Sequence, residues 1–585
     1  MKYLLTGIIA LTMLTGCGQK DKAAGGGTPA GVVFSAADLP EVSLRKGDPA
    51  TAGAALSALY LGESGAGRLS FAGSDVNGDK ATFSDITLSA PELAGEGMPA
   101  SPSDEELAEI LSYMDFDGDG IADDGSGTTL ETLRAEMQTP ASAPSASPVV
   151  KAARLEFDGL GMFDGQANFG LMKLSDITIT PAEGSEAQSA GKINSIELVN
   201  PSPQTAAWVA SLLGKGEPAP FPEGTALSFD RWTVNGVNFN VSDASGTGLF
   251  TIDSVHVSDL REEKAGLLGL SNLKFDFTEA AGTDIRIALE GFGLKGIHYG
   301  LLSDAVSAGA GAAGDPATLA SAIQSDPANP GYDAMVLKAL KADIVGASVD
   351  MPGLESSVSR DAQGRATKVT TNPFTLTVGA RDNPDGEQFA AALATVGYET
   401  LTFSGQGESL YDPDADLVTL VKGKNYWKLN GGFKLDVSAK YAGTKAIAAA
   451  QVASLDESAD PEAMLNAVME NVVVHGIEIA LDDDGILDRS INAYAARSGE
   501  DPAALRSQLS SIIAVAPMFA AGTGIDPAIV TELATALSSF VTEPKVLTIS
   551  LAPKAPIRAQ AFLDAASDPS KALTRETLGF SAGNK

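Results

Sequence analysis

"VNFNVSDASGTGLFTIDSVHVSD", residues 237–259, carries the pattern that decides the fold. In its first arm Val237, Phe239 and Val241 alternate with Asn238, Asn240 and Ser242. A period of two puts the apolar set on one face of an extended chain and the polar set on the other, as in a half-buried strand. "DASG" (243–246) is turn chemistry, and a second strand-like arm follows it. The same texture returns in "KATFSDITLSA" (80–90) and in "DLVTLVKGKNYWKLNGGFKLDVSAKYAG" (416–443). Short Gly, Asp and Asn breaks between such arms predict antiparallel hairpins. A chain with 62 Gly and only 6% aromatic residues is expected to use short strands, small-residue packing and many turns.

Around these strands the chain repeats itself. "AALSALYLGESGAGRLSFAGSDVNG" (54–78) and "AAWVASLLGKGEPAPFPEGTALSFDRWTVNG" (206–236) each open with an Ala/Leu helix. Each then has a Gly-Glu loop, Leu-Ser-Phe and Val-Asn-Gly, aligning Leu69 with Leu227 and Val76 with Val234. "FAAALATVGYETLTFSGQG" (389–407) is a weaker copy. A second unit, strand to helices to strand, is expected from "GIHYGLLSDA" (296–305) to "ADIVGASVDMPG" (342–353), and again from "GIEIALDDDGILDR" (476–489) to "KVLTISLAPKAP" (545–556). In each unit one helix opens on Asp-Pro-Ala, in 314–323 and in 499–509, where Asp caps and Pro fits the first turn. The expected fold is α+β: antiparallel, strand-rich repeats with short helices, internally duplicated, plus one helix-loop-helix. The divisions expected are a first αβ unit at 32–138, a Pro/Ala/Ser linker at 139–149, and αβ halves at 150–355 and 356–585.

A length of 585 residues exceeds a typical domain of roughly 150, and 44% apolar residues suffice for real cores. The net charge of −35 repels phosphate backbones, which excludes nucleic acid as a partner. Among the three histidines, His256, His298 and His475, none has the spacing of a metal or catalytic motif, and there is no nucleophile elbow or P-loop. The chain therefore reads as a binding or scaffold protein and not as an enzyme. A hydrolase whose site leaves no linear signature is the less favoured alternative.

The N-terminus reads as an address. Lys2 precedes an apolar run, Leu4 to Leu14, of signal-peptide length, which ends in Leu14-Thr15-Gly16-Cys17. This resembles the bacterial lipobox, which implies a signal peptide at 1–16 and lipidation of Cys17, the one cysteine of the chain. Gly18 after the cysteine, in place of Asp, points by the same resemblance to the outer membrane, on its periplasmic or cell-surface face. Residues 17–31 would be a lipid-anchored flexible tether, and the anchor makes the membrane a partner.

"SPSDEELAEILSYM" (101–114) has a capping-box spacing at Ser103 and Glu106 and an apolar stripe, Leu107, Ile110, Leu111 and Met114. "DFDGDGIADDGS" (115–126) then places Asp115, Asp117 and Asp119 at alternate positions before Gly120. This resembles the EF-hand loop and the acidic calcium repeats of thrombospondin type, and the helix-loop-helix would span 103–138. The resemblance implies a Ca²⁺ site using Asp115, Asp117, Asp119, the Ile121 carbonyl and Asp123. Ser126 stands where the bidentate Glu would be, which favours a structural site; Asp124 and Glu131 are both candidates for the missing ligand. The acidic stretches 412–417 and 482–485 read as a hairpin turn and a helix start.

The body is similar in texture to uncharacterised proteobacterial lipoproteins. Its strand-rich repeats also resemble periplasmic lipid-bridge proteins of the AsmA type, which implies an apolar groove that handles acyl chains. The partner is thus an unknown protein or a lipid.

Overall fold

The computed structural model describes residues 31–89, 149–181, 190–215, 219, 226–243, 246–262, 264–279, 284–298, 330–453, 461–519, 526–568 and 571–585. Among these residues one antiparallel sheet of 21 strands organises the chain. It opens with β1 (Leu69–Ser70) and β2 (Gly73–Asn77), which pair in line along β3 (Lys80–Leu88). Next comes β4 (Val149–Asp158), followed by a separate hairpin of β5 (Gly161–Phe163) and β6 (Gln166–Asn168). The sheet resumes with β7 (Leu171–Thr180), β8 (Ala190–Val199), β9 (Phe229–Asp243) and β10 (Gly246–Leu260). It continues through β11 (Lys264–Glu279), β12 (Asp284–His298), β13 (Ala334–Ile344) and β14 (Ala347–Arg360). β15 (Ala366–Ala380), β16 (Thr400–Asp412), β17 (Leu417–Leu420), β18 (Tyr426–Leu429) and β19 (Phe433–Ala442) follow. β20 (Val473–Asp483), β21 (Val546–Leu551), β22 (Ile557–Arg558) and β23 (Phe580–Asn584) complete it.

Spatial order follows chain order. β3 pairs with β4, β4 with β7, β7 with β8, and so on to β16, always antiparallel. The hairpin reading of 237–259 holds in detail: β9 and β10 pair from Asp243↔Gly246 to Phe229↔Leu260. Strand length departs from expectation. β11 runs for 16 residues, and β9, β10, β12 and β15 for 15 each. β14 passes through residues 355 and 356, so the sheet is continuous across that point.

Such long strands stay compatible with a bent sheet because each contains a mid-strand irregularity. Apolar residues that face one side sit three apart, not two, at its centre: Phe83/Ile86, Leu174/Ile177, Val234/Val237, Leu270/Leu273 and Leu337/Leu340. Between them, every second strand has a residue with positive φ: Asp85 at 51°, Asp176 at 52°, Gly236 at 64°, Asn272 at 50° and Ala339 at 49°. The ladder skips these positions; β7 and β8 pair at Ser175↔Ser195 and Ile177↔Ile193, but not between. A left-handed residue inserted in a strand bends it and reverses the facing of the side chains beyond it. Aligned from β3 to β13, these residues form a crease across the sheet. Asp and Asn suit the positions because they tolerate the left-handed region best after glycine. At Gly236 a Cβ would lie 2.0 Å from Nδ2 of Asn194, so a side chain there would have to displace that amide.

The parity reversal keeps both wings of the sheet apolar on the same side. One row flanking the crease runs Phe83, Leu155, Leu174, Ile196, Val234, Val255 through directly paired positions. On the other flank Ile86, Ala152, Ile177, Ile193 and Val237 do the same. The result is a trough whose inner surface shares Phe83, Ile86, Leu155, Leu174, Ile193 and Ile196 with one apolar cluster that reaches from Ala52 to Leu376.

Helices fill the ends. α1 (Ala52–Ala58) and α2 (Pro203–Leu213) precede strands β1 and β9, and α3 (Pro384–Thr395) precedes β16, as the repeated helix-then-strand segments predict. α4 (Thr444–Ala453) and α5 (Pro461–Asn471) join β19 to β20. α6 (Ile486–Ser498), α7 (Pro502–Phe519) and α8 (Pro527–Thr542) lie between β20 and β21, giving the expected strand–helices–strand order; the helices expected in the other such unit fall outside the described residues. Asp501 accepts from the Ala504 N–H, so the Asp-Pro-Ala helix start at 501–503 is as read; Asp526 caps α8 in the same way by accepting from the Ala528 N–H. On the outer face, the segment after residue 31 crosses the sheet. Val32 packs on Ala334 and Val336, and the Ala36 N–H donates to Ser254 Oγ.

Candidate functional site

Where α2 crosses the trough, a cavity of about 670 Å³ lies between helix and sheet. Small-molecule sites commonly span about 300–1,000 Å³. Its floor includes a run of directly paired residues, Met172, Leu198, Trp232, Val257 and Leu268, one from each of β7 to β11. The same run continues beyond the cavity to the buried Leu294 and Met335. Thr205, Trp208, Val209 and Leu212 roof it, at i, i+3, i+4 and i+7 of α2. Ile86 and Leu88 enter from the opposite wing, so the crease brings both wings to one space. Leu69 and Leu227, the residues aligned by the sequence likeness of 54–78 and 206–236, both line it.

The roof is held by ordinary capping chemistry. Ser202 Oγ accepts from the Thr205 N–H at 3.1 Å and donates to the Ala226 carbonyl. Pro203 fills the first turn. At the other end the Leu213 carbonyl accepts the Arg68 N–H at 2.7 Å. Gly67 is required there, since a Cβ would approach that carbonyl to 2.2 Å. Among the described residues that line it, only Arg68 and Lys151 are charged. Beyond the cavity the trough stays accessible: Val234, Val255, Leu270 and Leu273 are only half-buried. An apolar surface of this extent that is neither sealed nor solvated marks a binding surface more often than a core.

The residues singled out in the sequence lie elsewhere. Cys17 and the loop residues Asp115, Asp117, Asp119, Ile121 and Asp123 lie outside the described residues, as does the linker up to 148. β3 ends at Leu88 and β4 begins at Val149, and Leu88 and Val150 both line the cavity. The three histidines sit on three strands, β10, β12 and β20. His256 is fully buried on the outer face, opposite Gly269, where a Cβ would come within 2.2 Å of its Cε1. Burial pushes its pKa down to about 4. His298 is lowered by burial first and by the nearby Arg360 and Lys264 second, against the pull of Asp333. Among the described residues no group of three or more His, Cys, Asp or Glu could hold a metal. In the two acidic stretches the carboxylates serve the backbone: Asp412 accepts from Asp414 and Ala415, and Asp483 from Leu487.

The sequence reading missed the cavity as a place, although the pattern behind it is visible. "SDIT" occurs at both 84–87 and 175–178, and pairs such as Asn194-Ser195, Asn235-Gly236, Asp253-Ser254 and Ser271-Asn272 each separate two apolar residues. A recurring apolar-x-x-apolar break in period-2 strands is the signal of the crease.

A family model described as an uncharacterized protein matches residues 426–585, from β18 to the C-terminus and therefore apart from the cavity. No curated protein and no solved structure matches the chain. No helix among the described residues is long and apolar enough to cross a membrane.

Proposed function

We propose that this chain is a lipid-anchored cell-envelope protein that holds acyl chains of lipids in its trough. The observation that carries the reading is the cavity under α2, whose apolar walls run on into the half-buried apolar rows of the crease. A binding site for a flexible hydrocarbon needs length, an unbroken apolar surface and few polar groups. Each CH₂ removed from water contributes about 0.8 kcal/mol, so a chain of a dozen carbons can be held without any directional contact. Anchoring through Cys17 would keep the trough beside its source of lipid. The likeness of 54–78 to 206–236 is read as duplication of one helix-strand module, each copy giving the cavity a matched leucine. The loop at 115–126 is read as a structural Ca²⁺ site in the same protein.

Native mass spectrometry of the full-length protein purified from membranes tests the reading. Lipid is expected to remain bound to the wild type. Val257→Glu places a carboxylate in the floor of the cavity and is expected to reduce bound lipid at least tenfold, with an unchanged far-UV spectrum. A folded wild type that carries no lipid, and takes none from vesicles, would sink the proposal.

A further inference from the structure

We infer that the cavity selects amphiphiles with an anionic head, a fatty-acid carboxylate or a lipid phosphate, and that Arg68 is the residue that receives it. The inference rests on the acyl-chain reading and adds the chemistry of the polar end. Arg68 lines the cavity where β1 meets the C-terminal end of α2. Its Nε is shut off from solvent and has no hydrogen-bond partner among the described residues. The Nε of Arg231 is in the same state, so the sealed atom by itself marks no site, and the terminal N–H groups of the guanidinium are the donors that a head group at the mouth of the cavity would meet. A guanidinium also matches carboxylate and phosphate oxygens with two parallel N–H donors, which an ammonium cannot do.

Other candidates for the head group are weaker. Lys151 is exposed and lies between Val150 and Ala152, both lining residues, so strand alternation turns its side chain to the opposite face. Thr205 Oγ1 is engaged with the Ser228 backbone at 3.1 and 3.2 Å. With a net charge of −35 the protein surface repels anions, so a cation at an apolar mouth is a local exception that long-range steering does not explain. The geometry therefore fits a ligand with a long apolar body and one negative end, oriented with that end toward Gly67-Arg68 and its chain along Trp232, Val257 and Leu268.

Trp208 and Trp232 line the cavity and report occupancy by fluorescence. The mature wild-type chain is titrated with dibrominated stearate, the matching dibrominated alcohol, and phosphatidic acid and phosphatidylcholine carrying the same acyl chain. Both anions are expected to quench about tenfold more tightly than their uncharged or zwitterionic counterparts, the scale of one charge-assisted hydrogen bond. Arg68→Gln is expected to erase that preference while leaving the alcohol's affinity in place, and Lys422→Gln, a distant exposed charge, to keep it. Quenching by the free acid alone assigns a fatty acid, and by phosphatidic acid alone a phospholipid; either supports the inference. Equal affinity for acid and alcohol, or a preference that survives in Arg68→Gln, overturns it while the acyl-chain reading stands. No quenching by any probe overturns both.

Discussion

His256 has neither ring nitrogen hydrogen-bonded and no exposure, on the face opposite the trough. It stays neutral because charging it there would leave an imidazolium without water or a partner. Its folded pKa, about 4, lies below its ordinary 6.5. Between those values the unfolded chain binds the proton that the folded chain refuses, so stability rises with pH across the window. The contribution is fully present above pH 6.5 and is lost as pH falls through 4. It amounts to up to about 3 kcal/mol over that range. His256→Leu is expected to flatten this part of the urea-midpoint profile between pH 7 and pH 4.5, compared with wild type. Parallel profiles would show that the histidine does not set the slope. The residue could be read in "DSVHVSD" as a lone strand histidine; its burial could not, because the cover comes from Val33, more than two hundred positions earlier.

At the scale of elements the crease is the decisive feature. Alternation identified the strands correctly at 237–259 and 80–90, and the Asp-Pro-Ala signal at 501–503 placed the start of α7. Strand length was misjudged, because the polar pairs inside each strand look like turns when read singly. Only pairing with neighbours distinguishes a bend within one strand from a break between two. Asp176 illustrates the energetics. A β-branched residue at its φ of 52° meets the clash between Cβ and carbonyl that L-residues avoid, at a cost of about 1–2 kcal/mol. Asp176→Val is therefore expected to lower the unfolding free energy from urea titration by that amount, while Asp176→Gly stays within about 0.5 kcal/mol of wild type. If both variants match wild type, the left-handed conformation is not what the crease requires. Across nine strands these bends turn what would be a flat sheet into a trough, and its edges are protected in part by helices such as α8, which packs against β21 and β23.

For the whole molecule, the order of parts along the chain links the anchor to the site. The proposed lipid at Cys17 is followed by a tether of residues 17–31, and the chain then lies directly on the outer face of β10 to β13. This would hold the sheet close to the membrane that supplies its ligand. A compartment outside the cytoplasm would also supply calcium to the loop at 115–126. Isothermal titration calorimetry on the mature protein is expected to show Ca²⁺ binding that is lost in Asp115→Ala and Asp119→Ala. The absence of calcium-dependent heat in the wild type would remove the site.

The sequence by itself determined the hairpins, the helix starts and the apolar stripe of α2, since these follow from periodicity and capping within a dozen residues. It also carried the motifs on which the lipid anchor and the calcium loop are proposed. Tertiary structure alone decided that the polar breaks align into one crease, that Leu69 and Leu227 meet in one cavity, and that the Nε of Arg68 is left there without a partner. Those outcomes depend on register between strands far apart in the chain, and register is set by the packing of all of them together.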